Sequence, residues 1–535
     1  MSKLSSRLYA LFALPAVAAF AVAQTPCDQL KLSFPDASVK SIQLIPAGPF
    51  AAPTGSLTPT LPALDGAAPG GRGGRGAGGQ AKGPAGGGRA PQAPLPVPAY
   101  CRVLMVMTPS SDSLIDTAIF LPIENWNGKL QVVGNGGWAG SVSYPAMAAA
   151  LREGYAAASN DTGHRAQDVG GGGMFALGHP EKITDFADRA MHQTVVKAKL
   201  ITTAFYGRGP KYSYYNGCST GGRQGLIEIT KFPEDFDAAA VGAPANPHVH
   251  LHAAGVERSI ELMKNNAPLT QAKVDTLHNA VMDSCDALDG VKDGIISNPE
   301  KCHYDPSALL CKAADGPTCL TAGELKTVQI VFGDVKTKKG EVIWTGYEPG
   351  TELQVGSLKT VPTSPGGVFD VIRILGHQDK DYDWHNFDLD TEVAQADKAG
   401  IDVLTYDLSA FKAHGGKLLL YHGWADPSIP SGHTVLYYKE VLNKMGNKKQ
   451  DDWFKLYMEP GMAHCGGGPG PDQFNKMGVI ERWREAGQAP DSIIASHVTG
   501  SSVDMTRPLC AYPQVAVYKG AGSTNDAASF SCKLQ

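Results

Sequence analysis

Gly217-Cys218-Ser219-Thr220-Gly221 follows a strand-like run, Tyr212-Ser213-Tyr214-Tyr215-Asn216, and precedes a helix expected over residues 223–230. The five residues have the form G-x-S-x-G. Glycines on both sides of a serine permit a turn too tight for residues that carry a Cβ. A strand–turn–helix of this kind lifts the serine hydroxyl out of a sheet edge and into a cleft. A plain glycine-rich turn can have the same spelling, so the rest of the chain has to decide between a nucleophile and a connector.

Around this turn, strands alternate with helices. Residues 103–108 and 116–121 read as strands, and 130–133 as a buried strand that runs into Gly134-Asn135-Gly136-Gly137-Trp138. A further strand at 155–159 leads into Asp161-Thr162-Gly163-His164. Phe186, Ala190, Val195, Ala198, Ile201 and Phe205 recur at roughly helical spacing, which predicts a helix that Asp185 begins and Gly207 ends. Residues 236–241 are strand-like and stop at Gly242-Ala243-Pro244. This alternation predicts an α/β fold: a mainly parallel sheet with helices on both faces.

The alternation breaks between about residues 247 and 411. Helical pieces at 273–284 and 321–331 mix there with loops and with four cysteines, Cys285, Cys302, Cys311 and Cys319. The segment reads as an inserted domain stitched by local bridges. Buried-type strands resume at 417–421 and 453–458, so 24–246 and 412–535 are the expected two parts of one core. The tail at 492–534 is β-like, with Cys510 and Cys532 placed to staple it.

Bulk properties narrow the function classes. The chain has 535 residues, enough for two or three domains and a large core. Its 47 Lys and Arg against 52 Asp and Glu leave a net charge of −5, so the basic footprint of a nucleic-acid binder is missing. Lys3 and Arg7, the mostly apolar residues 8–20 and Ala21-Val22-Ala23 form an export signal over residues 1–23. No other stretch is apolar for long enough to cross a bilayer. The mature protein is therefore expected to be secreted or periplasmic, with no membrane association once the signal is removed. Ten cysteines in an exported chain favour disulfides. Residues 51–98 are largely Gly, Ala and Pro and cannot bury enough apolar surface to offset their ordering entropy. They read as a disordered insertion, which a Cys27–Cys101 bridge would close at its base.

A serine hydroxyl needs a base, and the base needs an orienting carboxylate. In α/β-hydrolases these follow the serine in the order Asp or Glu, then His. The strand at 417–421 leads into His422-Gly423-Trp424-Ala425-Asp426, and the strand at 453–458 leads into Gly461-Met462-Ala463-His464-Cys465. Asp426 and His464 thus stand where the acid and the base belong. His164, His192 and His422 compete as the base, but none has both the order and the position of His464. Cys218 precedes the serine and Cys465 follows the histidine. A bond between them would tie the serine turn to the histidine loop, a long-range closure worth at most about 5 kcal/mol by chain entropy.

These residues resemble the tannase/feruloyl esterase family, which also includes mono(hydroxyethyl) terephthalate hydrolase. The resemblance rests on Cys218-Ser219, Asp426 and His464-Cys465, with Gly217 to Arg223 and Gly134 to Gly137 around them. It runs from about Cys27 to the C-terminus. It implies an α/β-hydrolase core with a lid domain at 247–411. It also implies bridges Cys218–Cys465, Cys27–Cys101, Cys285–Cys302, Cys311–Cys319 and Cys510–Cys532. The oxyanion donors would be the N–H of Thr220 and that of Gly136 or Gly137. A structural calcium ion in the lid is implied as well, held by side chains of Asp286, Asp289 and Asp293 and carbonyls of Val291 and Ile295. The activity implied is hydrolysis of a small-molecule ester of an aromatic acid, of feruloyl or galloyl type. Thr220 after the serine is more similar to the feruloyl esterase and tannase members. Hydrolysis of a terephthalate monoester, or a non-catalytic binding role on a hydrolase scaffold, are the alternatives.

Overall fold

The computed structural model describes residues 24–53, 95–165, 171–446 and 451–535. The export signal expected at 1–23 and most of the insertion expected at 51–98 lie outside the described residues.

Short apolar runs become strands buried on both faces because alternate side chains leave a strand on opposite sides. Among the described residues, eight such strands and one half-exposed edge strand, β1 (Ala37–Ile45), form one sheet, the eight being β2 (Tyr100–Met107), β3 (Ile115–Pro122), β4 (Lys129–Val133), β5 (Ala156–Asn160), β6 (Tyr212–Cys218), β7 (Ala238–Gly242), β8 (Lys417–Gly423) and β9 (Phe454–Glu459). Their spatial order is β1-β2-β3-β5-β4-β6-β7-β8-β9. The contacts from β1 through β3 to β5 are antiparallel, and all later ones are parallel. Within single strands the residues split cleanly between two cores. Leu130, Val132, Leu418 and Leu420 face the helices Ala190–Tyr206, Thr220–Lys231 and Gly432–Lys444, whereas Val133, Leu419 and Tyr421 face Tyr144–Arg152 and Lys476–Ala486. The mainly parallel α/β sheet expected from the sequence is the sheet observed.

One boundary differs from the expectation. The helix ending at Gly207, which takes a left-handed φ of 69°, does not begin at Asp185. It starts a turn earlier at Pro180, passes through a π-turn at Asp185–Arg189, and continues as Ala190–Tyr206. Proline fits the first helical turn because its missing N–H has no partner there anyway. The apolar pattern missed this turn because its buried residue is Lys182, whose Nζ donates to the Gly163 carbonyl. Asp185 is not a cap. It is buried inside the helix and accepts from Ser113 Oγ and Arg189 Nε.

The segment between β7 and β8 builds one apolar cluster from its own residues and shares a second with Phe175, Phe186 and Trp138. Asn246 brackets Val403 with two hydrogen bonds, 3.0 Å to its carbonyl and 3.1 Å from its amide. Asp402 accepts from the amides of His248 and Val249, at 2.7 and 2.8 Å. Entry and exit are thus hydrogen-bonded to each other, the geometry of an insertion that leaves the parent sheet continuous.

Five disulfides are present: Cys27–Cys101, Cys218–Cys465, Cys285–Cys302, Cys311–Cys319 and Cys510–Cys532. The last joins the hairpin strand Ser502–Cys510 to the terminal strand Phe530–Lys533.

The helix Thr220–Lys231 lies very close to the sheet at Gly225, where a Cβ would stand 2.7 Å from the Tyr215 ring and 2.8 Å from a Val241 methyl. Both neighbours are fully buried. Gly225→Ala is expected to cost ~1–3 kcal/mol through overpacking, read as a lower urea midpoint with an unchanged slope.

Candidate active site

β6 ends at Cys218, and the helix starts at Thr220, so Ser219 is the whole turn between them. Its φ of 65° and ψ of −125° form a strained elbow that a serine adopts only when its surroundings enforce it. The enforcing contacts are visible. Ser219 N–H donates to the Gly242 carbonyl at 3.0 Å and Gly221 N–H to the Asn135 carbonyl at 2.8 Å. At Gly217 a Cβ would lie 2.6 Å from the Gly221 carbonyl oxygen, so the chain can fold back on itself only with glycine there.

The residues expected to work together meet at hydrogen-bond distance. Ser219 Oγ is 3.0 Å from His464 Nε2, and His464 Nδ1 is 2.7 Å from Asp426 Oδ2. The Asp426 carboxylate is fully enclosed and all its oxygens are used. Oδ1 accepts from the amides of Ser428 and Ile429, at 2.7 and 2.9 Å. Oδ2 accepts from His464 and also from His422 Nε2 at 3.0 Å. Burial alone would raise the Asp426 pKa. The hydrogen bonds and charge of His422 and His464 outweigh it and hold the carboxyl well below its ordinary range. Because its folded pKa is depressed, the stability Asp426 contributes is complete above its unfolded value of about 3.9 and is lost as pH falls below it.

The competing histidines are placed elsewhere. His422 is fully buried between Asp426 and Thr434, with Nδ1 2.7 Å from Thr434 Oγ1. If Thr434 donates to Nδ1, Nε2 carries the proton that Asp426 accepts. His422 then acts as a second orienting donor, not as a base, a role that sequence order did not reveal. His164 stacks on Phe175 at 3.8 Å, and burial drives its pKa down to about 3. His192 pairs with Asp235.

A bond across the strand ends holds Ser219 and His464 near each other. Cys218 ends β6, and Cys465 lies beyond β9, with β7 and β8 between. Three strand spacings amount to ~14 Å, yet the two Cα atoms are 6.1 Å apart. The loop after β9 therefore runs back over the ends of β8 and β7 to reach the serine. Gly461, Gly467 and Gly468, all at positive φ, let it do so.

The glycine turn after β4 docks on the start of the serine helix. Thr220 Oγ1 donates to the Gly137 carbonyl, and Asn135 N–H donates to Gln224 Oε1 at 3.0 Å. Thr220 is the first helical residue, so its N–H has no acceptor within the helix. Gly136 and Gly137 follow at once, and Trp138 next to them sits edge-on to Phe175, His248 and His252. Tyr382, Trp384 and Phe387 pack against an apolar cluster that also takes in Phe175, Phe186 and Trp138. The arrangement can activate a hydroxyl, hold the resulting imidazolium and offer backbone donors to an anion.

In the lid loop, the Asp286 oxygens accept from the amides of Asp293 and Gly294, and Asp289 accepts from Val291 N–H and Ser297 Oγ. Asp293 Oδ2 pairs with Arg507 at 2.8 Å. The pKa of Asp289 is raised by burial and further by the charge of Asp293. These three carboxylates are not among the side-chain clusters already drawn together closely enough to share an ion. No helix among the described residues is long and apolar enough to cross a membrane.

Residues 101–533 match a family model described as tannase and feruloyl esterase. The chain is 33% identical to an uncharacterized esterase of Xanthomonas campestris pv. campestris, over 98% of this chain and 94% of that one. It is 35% identical to a probable feruloyl esterase B-1 of Aspergillus oryzae, over 81% and 84% of the two chains. The crystal structure of feruloyl esterase B from Aspergillus oryzae superposes with a TM-score of 0.81 at 31% identity, covering 95% of this chain and 99% of that one.

Replacing both Cys218 and Cys465 by alanine is expected to remove up to about 5 kcal/mol of stability, since the bond closes a loop of 247 residues. Urea unfolding under non-reducing conditions measures this. Freed from the bond, the His464 loop should drift, and labelling of Ser219 by a serine-directed phosphonate should slow by about 100-fold.

Proposed function

The chain belongs to the tannase and feruloyl esterase family and is a carboxylic-ester hydrolase; from that premise we propose that Ser219, His464 and Asp426 cleave esters of aromatic acids through an acyl-enzyme. The single observation that carries this reading is the unbroken relay from Ser219 Oγ to His464 Nε2 and from His464 Nδ1 to Asp426 Oδ2, at 3.0 and 2.7 Å.

Each step follows from these groups. His464 takes the Ser219 proton as Oγ attacks the ester carbonyl, and the imidazolium stays beside the Asp426 carboxylate. The carbonyl oxygen becomes an oxyanion facing the Thr220 amide and that of Gly136 or Gly137, donors worth a few kcal/mol each when preorganised. His464 passes its proton to the leaving alcohol. It then takes a proton from water, whose hydroxide attacks the acyl group, and Ser219 recovers its hydrogen when the acid departs. Asp426 does not change protonation state. Its depressed pKa keeps it anionic throughout, and the donors around it fix the His464 tautomer.

An aromatic acyl group of feruloyl or galloyl type is supported by the names of the relatives and by Trp138, which stands directly after Gly137 among other rings. The inserted segment 247–411 serves as the lid. Export to the periplasm or medium is supported by the five disulfides, which persist in oxidising compartments.

A structural calcium ion fits the lid loop. Asp289 is buried and repelled by Asp293, and a cation would relieve both effects. Asp286, Asp289 and Asp293 would hold it with the carbonyls of Val291 and Ile295, drawing the carboxylates closer together than they stand. Calcium takes six to eight such oxygens.

Ser219→Ala is expected to lower kcat by about 10⁶-fold while leaving the circular dichroism spectrum unchanged. Wild-type turnover by that variant would remove the assignment. Initial rates on methyl ferulate, methyl gallate, chlorogenate and a terephthalate monoester should favour the first three. The reverse preference would move the protein to the terephthalate branch. Calorimetry on chelator-stripped protein should register one calcium ion per chain, bound at least ten-fold more weakly by Asp289→Asn. No heat on calcium addition to the wild type would sink the calcium site.

A further inference from the structure

On the side of the sheet packed by the helices Ala190–Tyr206 and Thr220–Lys231, three ligand-type side chains converge. His192, Glu228 and Asp235 each offer an atom within 4.8 Å of the other two. His192 lies on the first of these helices, Glu228 on the second, and Asp235 in the loop between the second and β7. Glu228 is eight residues into its helix, ~12 Å along the axis from Thr220, so the cluster is separate from the active site.

The three residues are not equally satisfied. His192 Nδ1 is 2.7 Å from Asp235 Oδ2, and its ring is stacked on Phe232 at 3.8 Å, which fixes its plane. Lys199 is the nearest cation, with Nζ 3.9 Å from Asp235 Oδ1. Lys231, close by in sequence, is committed to Asp188. Glu228 is the exception. Its side chain is 0% exposed, its carboxylate oxygens meet no N–H or hydroxyl donor, and it lies against the Asp235 carboxyl, the one group it could share a proton with. An ionised carboxylate cannot stay buried without a donor or a countercharge. Facing a second carboxylate, it must share a proton with it or share a cation. The imidazole beside the pair distinguishes these cases. A proton bridge needs only the two carboxyls, whereas one imidazole nitrogen and two carboxylates make a donor set for a divalent transition ion. Tetrahedral zinc with bonds of ~2.0–2.1 Å spaces its ligand atoms about 3.3 Å apart, and His192 and Asp235 already stand at 2.7 Å.

We propose that His192, Glu228 and Asp235 form a zinc site that clamps the far end of the nucleophile-bearing helix to its neighbouring helix and to the loop entering β7. Three protein ligands leave a fourth position for water. The site stands apart from Ser219, ~12 Å along the helix that begins at Thr220.

The test uses the full chain, stripped with chelator, saturated with calcium and then titrated calorimetrically with zinc chloride. The wild type should take up one zinc ion, and its thermal midpoint should rise on zinc addition. Glu228→Gln keeps the shape of the side chain and removes its charge, and His192→Gln changes a part-exposed position, so both should fold. Each should bind zinc at least ten-fold more weakly and lose the thermal shift, while hydrolysis without added zinc stays within about two-fold of wild type. Equal zinc affinity in the wild type and both variants would overturn the proposal. So would a wild type that takes up no zinc, which would leave the Glu228–Asp235 pair bridged by a proton.

Discussion

Everything at the catalytic end of the sheet depends on bringing a loop from beyond the edge strand back to the elbow after β6. Strand spacing puts β6 and β9 ~14 Å apart, and the Cys218–Cys465 bond closes that gap to 6.1 Å between Cα atoms. The bond is flanked by the two residues that must touch, so the geometry it imposes passes directly to Ser219 and His464. Its placement also explains why the loop is rich in glycine. Residues 461, 466, 467 and 468 all take positive φ, and a Cβ at Gly468 would lie 2.2 Å from the Gly461 carbonyl oxygen. The loop has to fold tightly on itself to cross two strand ends in so few residues.

The same end of the sheet concentrates electrostatic cost. Asp426 is a buried anion, and a buried anion is tolerable only when its lone pairs are filled. Two backbone amides and two imidazoles fill them. His422 therefore lets the carboxylate remain charged without water, and Thr434 in turn orients His422. Histidine at position 422 lies only four residues before Asp426, on β8, yet the sequence made it look like a rival base. What distinguishes it is its partners: His422 is held between Asp426 and Thr434, while the returning loop brings His464 to the serine.

Legibility followed the kind of signal each residue gives. The strands were readable because both faces of the sheet are buried, which leaves continuous apolar runs such as Leu418-Leu419-Leu420. The start of the helix at Pro180 was not readable, because its inward residue is a lysine satisfied by a distant carbonyl. The inserted segment was visible as a break in rhythm, but the neck joining its ends was not, since Asn246 and Val403 are 157 residues apart. Tyr382, Trp384 and Phe387 of the segment between β7 and β8 pack on the same apolar cluster as Phe175, Phe186 and Trp138, which come before β6. Composition marks a residue as aromatic but carries no information on which surface it meets.

The sequence by itself determined the alternating architecture, the elbow at Ser219 and the order serine, aspartate, histidine. These are local patterns: short continuous apolar runs, a helical spacing, a pair of glycines around a serine, and residues placed just past strands. The cysteines beside Ser219 and His464 added the one long-range relation that could be read without coordinates. Only the tertiary structure decided which groups fill the Asp426 carboxylate, which distant rings gather around Trp138 and which buried carboxylate, Glu228, is left without a donor. Those are properties of side chains that meet across the sheet from distant positions, and chain order does not encode the direction in which each one points.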